Sequence, residues 1–367
     1  MITSPPLRTN HKLRFNNIRK SGFFADVRQK VDLYFSEQQL DKKANGAMWL
    51  KAVVFLSGYL ILAGLILSNQ FSPLVMLFMA IGLGLFSAFI GFNICHDAIH
   101  GALSNNARVN KIFSVMFHFI GANPYVWNIT HNVVHHTYTN IAGHDEDLEI
   151  APGLIRLSSD EELTTANRYQ HWYGFALYSL ASLSWVFRKD YKKFFQDKIG
   201  EHPTSNHPRI EYFNLFFFKF LYYFLFLVLP VLVTDITWWQ GIIGFLALHF
   251  AQGLVMGLVF QLAHVVEGTE FPIPNEHGNI EEAWAEHQMR TTANFSMKSK
   301  LSAFLLGGLN QQIEHHLFPK ICHIHYPAIS AIVSDTAREY NLPYLQNETF
   351  GGALVSHYRM LKRYSRD

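Results

Sequence analysis

AVVFLSGYLILAGLILSNQFSPLVMLFMAIGLGLFSAFIGFNICHDAIH, residues 52–100, carries no charged side chain from Ala52 to Cys95 and then ends on His96, Asp97 and His100. At about 1.5 Å per helical residue the uncharged part is roughly twice as long as one bilayer crossing requires. Asn69-Gln70-Phe71-Ser72-Pro73 interrupts it in the middle, so the stretch predicts two antiparallel spanning helices near 50–68 and 73–94. His96 and His100 stand four apart at the end of the second helix, where that spacing puts two side chains on one face.

A second apolar block runs from Tyr212 to Val233, broken only by Lys219, and a third from Ile236 to Val266 has no Asp, Glu, Lys or Arg. Asp235 to Trp239 separates them as a short turn with interfacial tryptophans, which predicts two more spans near 213–234 and 240–262. The turns at 69–72 and 235–239 have no Lys or Arg, whereas Lys42, Lys43, Lys51, Lys189, Lys192, Lys193, Lys198 and Arg209 flank the opposite ends. By the excess of positive charge on the cytosolic side, both termini and the loop 96–211 face the cytosol. The apolar stretch His171 to Phe187 is short and runs into Arg188-Lys189-Asp190-Tyr191-Lys192-Lys193; it reads as an interfacial helix, because a fifth span would reverse the side of everything after it. The expected fold is all-α, one polytopic membrane domain over 1–367. Four transmembrane helices form two hairpins, and a cytosolic helical cap from 1–47, 95–211 and 263–367 holds a dimetal site.

That site is read from three clusters: His96-Asp97-Ala98-Ile99-His100, His131-Asn132-Val133-Val134-His135-His136 and Gln312-Ile313-Glu314-His315-His316. All three fall on the same side of the inferred membrane. Seven imidazoles and one amide are too many for one ion, which takes about four protein ligands in imidazole-rich sites, and suit two. With 20 histidines in the chain some pairs at helical spacing arise by chance; three clusters, two ending in His-His and all beside membrane boundaries, do not.

Composition narrows the alternatives. A net charge of +2 and 16% charged residues leave no basic stripe for nucleic acid. The two cysteines, Cys95 and Cys322, give no disulfide framework and read as buried. The first 43 residues lack the apolar segment of a secretory signal, so the N-terminus is expected to stay cytosolic.

His-x-x-x-His, His-x-x-x-His-His and Gln-x-x-His-His, in this order, resemble the three boxes of the membrane fatty acid desaturases of the histidine-box superfamily, and the resemblance covers nearly the whole chain. Gln312 in place of a first histidine is similar to the front-end desaturases, which act between an existing double bond and the carboxyl end (delta-5 or delta-6 type). His131 to Asp147 resembles bacterial acyl-CoA or acyl-lipid desaturases, which implies a bacterial inner-membrane location. The resemblance implies two iron ions held by His96, His100, His131, His135, His136, Gln312, His315 and His316, with dioxygen as co-substrate. It also implies a further ligand at the end of the fourth span, where His264 stands; Gln261, one turn earlier, is placed to orient a ligand or a bridging water. A fused cytochrome b5 domain would carry His-Pro-Gly-Gly, which the chain lacks, so electrons are expected from a separate ferredoxin or cytochrome b5-like donor. Ile99 stands where the family often has Asn.

Asp97, Glu314 and the run Asp145-Glu146-Asp147 are candidates to brace the imidazoles, though the run reads more simply as a solvated acidic loop. The substrate, a fatty acyl-CoA or acyl-lipid, needs an apolar tunnel, expected between spans two and four, with Gly82, Gly84, Gly253 and Gly257 as depth-setting positions. Gly253 and Gly257 also form a pair suited to close helix packing, and His249, about 22 Å from His264 at helical rise, is expected to hydrogen-bond another span. A lipid hydroxylase on the same scaffold, a zinc-dependent membrane lipid hydrolase and a metal transporter are the competing readings; a transporter would place its ligands near the bilayer midplane.

Overall fold

The computed structural model describes residues 13–148, 151, 153–157 and 162–366. Among the described residues four helices are long and apolar enough to cross a membrane: Gly46–Leu67, Pro73–Ile99, Arg209–Val233 and Trp238–His264. The chain is thus a membrane protein built as the charge-free blocks predicted, with two differences. The second span continues through a π-helical turn, Gly91–Cys95, into His96–Ile99, so the first histidine cluster lies on the span itself. The fourth span runs unbroken to His264.

Local chemistry sets these boundaries. Asn45 caps the first span by accepting from the Met48 amide at 3.0 Å, and Pro73 opens the second at a position where a missing N–H costs nothing. A reciprocal capping box between Thr237 and Gln240 opens the fourth. The two outer turns hold each other: Asn69 donates to the Asp235 carboxylate at 2.8 Å, and the Asp235 amide donates to the Asn69 side chain at 3.0 Å. Both hairpins therefore turn at the same end of the bundle.

Spans two and four form its inner pair, each with 44% of its apolar window buried against 17% and 11% for spans one and three. A Cβ on Gly84 would stand 2.1 Å from the Leu248 carbonyl oxygen, and one on Gly253 would stand 2.4 Å from that of Ser179. These glycines let backbones touch, as expected for Gly253 and Gly257, where Tyr178 is the neighbour. Gly84 and Gly253 therefore pack on backbone and, like Gly82, which faces Leu62 of the first span, are not among the residues lining the cavity beside the histidines, whereas Gly257 is. Lys219, the sole interruption of the second apolar block, is buried: it meets the Asp190 carboxylate at 2.7 Å and the carbonyls of Gly121 and Trp185. It pins the stretch after residue 170 to the third span. That stretch forms short helices, Gln170–Tyr178, Ala181–Ser184, Trp185–Lys189 and Asp190–Phe195, none among the four of spanning length. His249 bonds Ser182 and the Tyr222 hydroxyl of span three, as expected.

The cap closes over one end. Helix Phe23–Glu37 packs on helix Tyr326–Glu339 through Phe23, Val27, Val31, Ile329 and Val333, and Ile313 and Leu317 of the third-cluster helix join that core. Burying the apolar side of that helix turns Gln312, His315 and His316 the other way.

Candidate metal centre

The second cluster begins on another π-helical segment, Asn128–His135. The i to i+5 winding brings residues five apart within about 50° of each other around the axis, against about 140° in an α-helix. His131 and His136 accordingly face each other, Nε2 to Nε2 at 3.2 Å.

The clusters meet in two groups. His96, His100, His131 and His315 form one, and His135, His264 and His316 the other; within each, one nitrogen per ring lies within 4.8 Å of all the rest. Opposite donors about 2.1 Å from one ion would be roughly 4.2 Å apart, so each group can close on a cation with small side-chain movement. His136 sits between them, its ring centre 4.6 Å from His315 and 4.4 Å from His316. All eight rings are buried.

The unmet hydrogen-bonding capacity is what suits this pocket to a metal. Nε2 of His96, His100, His135, His264, His315 and His316 and Oε1 of Gln312 are buried without a partner among the described residues. Each such group costs about 1–3 kcal/mol if left unsatisfied, and a cation at each focus relieves them together. Nδ1 of four rings is held from behind: His131 by Asp147 at 3.0 Å, His135 by Asp145 at 2.9 Å, His316 by the Gln288 side-chain oxygen at 2.7 Å and His264 by the Thr291 carbonyl at 3.3 Å. Since these partners accept, Nδ1 carries the proton and Nε2 offers its lone pair inward, the arrangement that orients imidazole ligands. Protonation is resisted as well. Burial, opposed by Asp147, lowers His131 to about 4, and burial with neighbouring imidazoles holds His136, His315 and His316 well below the ordinary histidine value. At His135 burial is outweighed by Asp145, and the ring stays above it.

Four expectations about residues behind the imidazoles need correction. The acidic run is not a solvated loop: Asp145 and Asp147 are buried behind ligand imidazoles, and Glu146 turns to Lys193 at 2.6 Å. Asp97 does not hold a cluster imidazole by a hydrogen bond; it accepts from Cys322 at 3.0 Å and His323 at 2.8 Å, and Lys51 meets the far side of His323 at 3.1 Å. This third group could also hold a metal by proximity, but Cys322 and His323 are already bonded to Asp97 Oδ2, and the other nitrogen of His323 is taken by Lys51. Glu314 points away from the foci, accepting from Tyr344 at 2.6 Å and Asn294 at 2.8 Å; burial raises its pKa. Gln261 donates to the Leu148 carbonyl and touches no ligand ring by a hydrogen bond. Both cysteines are buried, as expected.

An apolar cavity opens on the first group. Gly91, Phe92, Phe117, Trp127, Met256, Gly257 and Phe260 line it, and His96, His131, Gln312, Asp147 and Lys189 supply its polar end. Spans two and four contribute walls, as predicted. The segments 116–127 and 181–189 close it, and these sequence reasoning missed because neither carries a motif.

Residues 70–348 match the family model described as fatty acid desaturase. The chain is 34% identical to the sn-1 linoleoyl-lipid 6-desaturase of Synechocystis sp., covering 96% of this chain and 98% of that one. It is 33% identical to the enzyme of the same name from Arthrospira platensis, over 97% and 96% of the two chains. With the acyl-lipid (8-3)-desaturase of Physcomitrium patens the identity is 34% over 96% of this chain and 73% of the relative. Four spans, buried imidazoles converging at two foci beside an apolar cavity, and matches over nearly the whole length agree that the chain belongs to the fatty acid desaturase family and is an enzyme of that kind.

Proposed function

We propose that the chain is a di-iron, front-end acyl-lipid desaturase, which sets a double bond between the carboxyl end and one already present. The inward-facing imidazole nitrogens, left without partners beside an apolar cavity, carry this reading. His96, His100, His131 and His315 would hold one ion and His135, His264 and His316 the other, with His136 and Gln312 completing the set. Iron when bound supplies the reduction of dioxygen and the oxidising strength that removal of hydrogen from an unactivated methylene pair requires; zinc has no such redox chemistry.

The overall change balances as one –CH2–CH2– unit losing two hydrogens while dioxygen, two electrons and two protons become two waters. The electrons come from a separate ferredoxin or cytochrome b5-like protein. Phe92, Phe117, Trp127 and Phe260 line the path of the acyl chain and exclude water from the polar end. Asp145 and Asp147 fix the tautomer of His135 and His131. The names of the two cyanobacterial relatives, 6-desaturases of linoleoyl lipid, support a lipid-borne substrate and a delta-6 position.

Fatty-acid profiling of a host that makes linoleoyl lipid but no further-desaturated product tests this directly. A new bond toward the carboxyl end is expected, dependent on oxygen. Product that is hydroxylated, or activity that persists anaerobically with zinc bound, would replace the reading by the hydroxylase or the hydrolase. We further propose a bacterial inner-membrane location, as the resemblance to bacterial desaturases implies, with both termini and the metal centre cytosolic on the distribution of Lys and Arg. Terminal reporter fusions should read inside; a C-terminal reporter that reads outside would overturn this topology.

A further inference from the structure

The two groups of imidazoles are braced by two carboxylates of the same run, but only one of those carboxylates is neutralised. Asp147, behind His131 of the first group, meets Lys189 Nζ at 3.0 Å. Glu146 meets Lys193 at 2.6 Å. Asp145, behind His135 of the second group, accepts from the backbone amides of Asn140 at 3.0 Å and Asp147 at 3.2 Å, and forms no ion pair with Lys or Arg among the described residues. Three anions thus share two cations, and the deficit falls on the second group. The braces of His316 and His264, Gln288 and Thr291, are neutral, and so is Tyr326, whose hydroxyl lies 3.2 Å from His315 Nδ1.

We propose that Lys189 is a positioning residue that makes the two metal sites unequal, so that the group of His135, His264 and His316 takes a divalent cation first and more tightly. The proposal rests on the metal-centre reading above. Its physical basis is the attraction between a buried carboxylate and a cation held by the imidazole in front of it, which is strong where water is excluded. At the second group no Lys or Arg among the described residues bonds the bracing carboxylate, and Lys189 opposes its pull only through space. At the first, the ammonium of Lys189 bonds the carboxylate that braces the ligand and offsets part of its field. Lys189 stands at the end of the π-helical turn Trp185–Lys189 and lines the cavity, so the neutralising charge is carried by the segment that walls the acyl path.

The test is a cobalt(II) titration of the full-length, metal-stripped protein in lipid nanodiscs, followed by d–d absorption. Cobalt binding requires neither desaturase activity nor iron. The expected wild-type isotherm has two steps, and Lys189→Gln should tighten the weaker step by roughly tenfold or more while leaving the stronger step in place. Lys189→Arg, which keeps the charge, should retain the wild-type pattern. Asp145→Asn should weaken the stronger step instead. Two equal steps in the wild type, an unchanged weaker step in Lys189→Gln, or an arginine variant that behaves like the glutamine one would each overturn the proposal. Absence of any cobalt binding would instead overturn the metal-centre reading on which it stands.

Discussion

His135→Ala should abolish product formation, a loss of at least about a hundredfold, since even removal of a partner behind a metal ligand typically costs 10- to 100-fold. The ring is fully buried, its Nε2 has no partner and its Nδ1 is held by Asp145, so its removal deletes a ligand and strands a carboxylate. The same result is expected for His96, His100, His131, His136, His264, His315 and His316. Gln312→Ala should lose most activity through the amide oxygen, which is buried without a partner at the end of the cavity that His96 and His131 also line. The exposed His277 provides the comparison, and His277→Ala should retain wild-type product. Gas chromatography of total fatty acids and metal content per purified chain are the measurements. Near-wild-type product in His264→Ala would remove that residue from the set, and wild-type metal content in His135→Ala would remove the second site.

Gly307→Ala should destabilise the protein by several kcal/mol through the addition of one methyl group. Gly307 has a φ of +59°, and a Cβ there would lie 2.3 Å from the carbonyl oxygen of Phe92, on the π-turn that precedes the first cluster. The left-handed backbone costs a non-glycine residue about 1–2 kcal/mol, and the forced shift of a packed backbone adds roughly 1–3 kcal/mol more. Because Phe92 and the third-cluster segment are the groups pushed apart, metal content should fall along with stability. Gly244→Ala is the matched control: it lies in the fourth span with open space around its Cβ position, where alanine favours a helix by about 0.5–1 kcal/mol. The thermal midpoint of the detergent-solubilised variants decides. Equal midpoints for the two would show that the Phe92 contact does not hold the clusters in register.

The spans and the three clusters were legible because each is written at short range: an unbroken charge-free run, a polar turn, imidazoles at helical spacing. What escaped was written at long range. Asp145 and Asp147 are 10 and 16 residues from the rings they brace, and three acids in a polar loop look solvated until the fold buries them. Lys219 looked like a blemish in an apolar run, whereas its charge is answered by Asp190 on a different segment. His264 is a single histidine with no companion at helical spacing, so only the family resemblance and its place at the end of the fourth span marked it. Glu314, beside two ligands in the chain, faces away because the helix carries it toward Asn294 and Tyr344. Neighbours in sequence pointed at different chemistry, and only packing could separate them.

A π-helical turn is an α-helix with one extra residue wound into it, and such turns precede the first cluster and begin the second, at 91–95 and 128–135. The alignment of His131 with His136 therefore records a length. Substitutions at Asn132 or Val133 leave that length unchanged, but losing a single residue between 128 and 135 would rewind the segment to α and turn everything on one side of the deletion by about 100°. Drift is thus free to change Asn132 and Val133 between the ligand histidines and barred from changing the number of residues there, so a gap in that segment would mark a protein that has given up the centre.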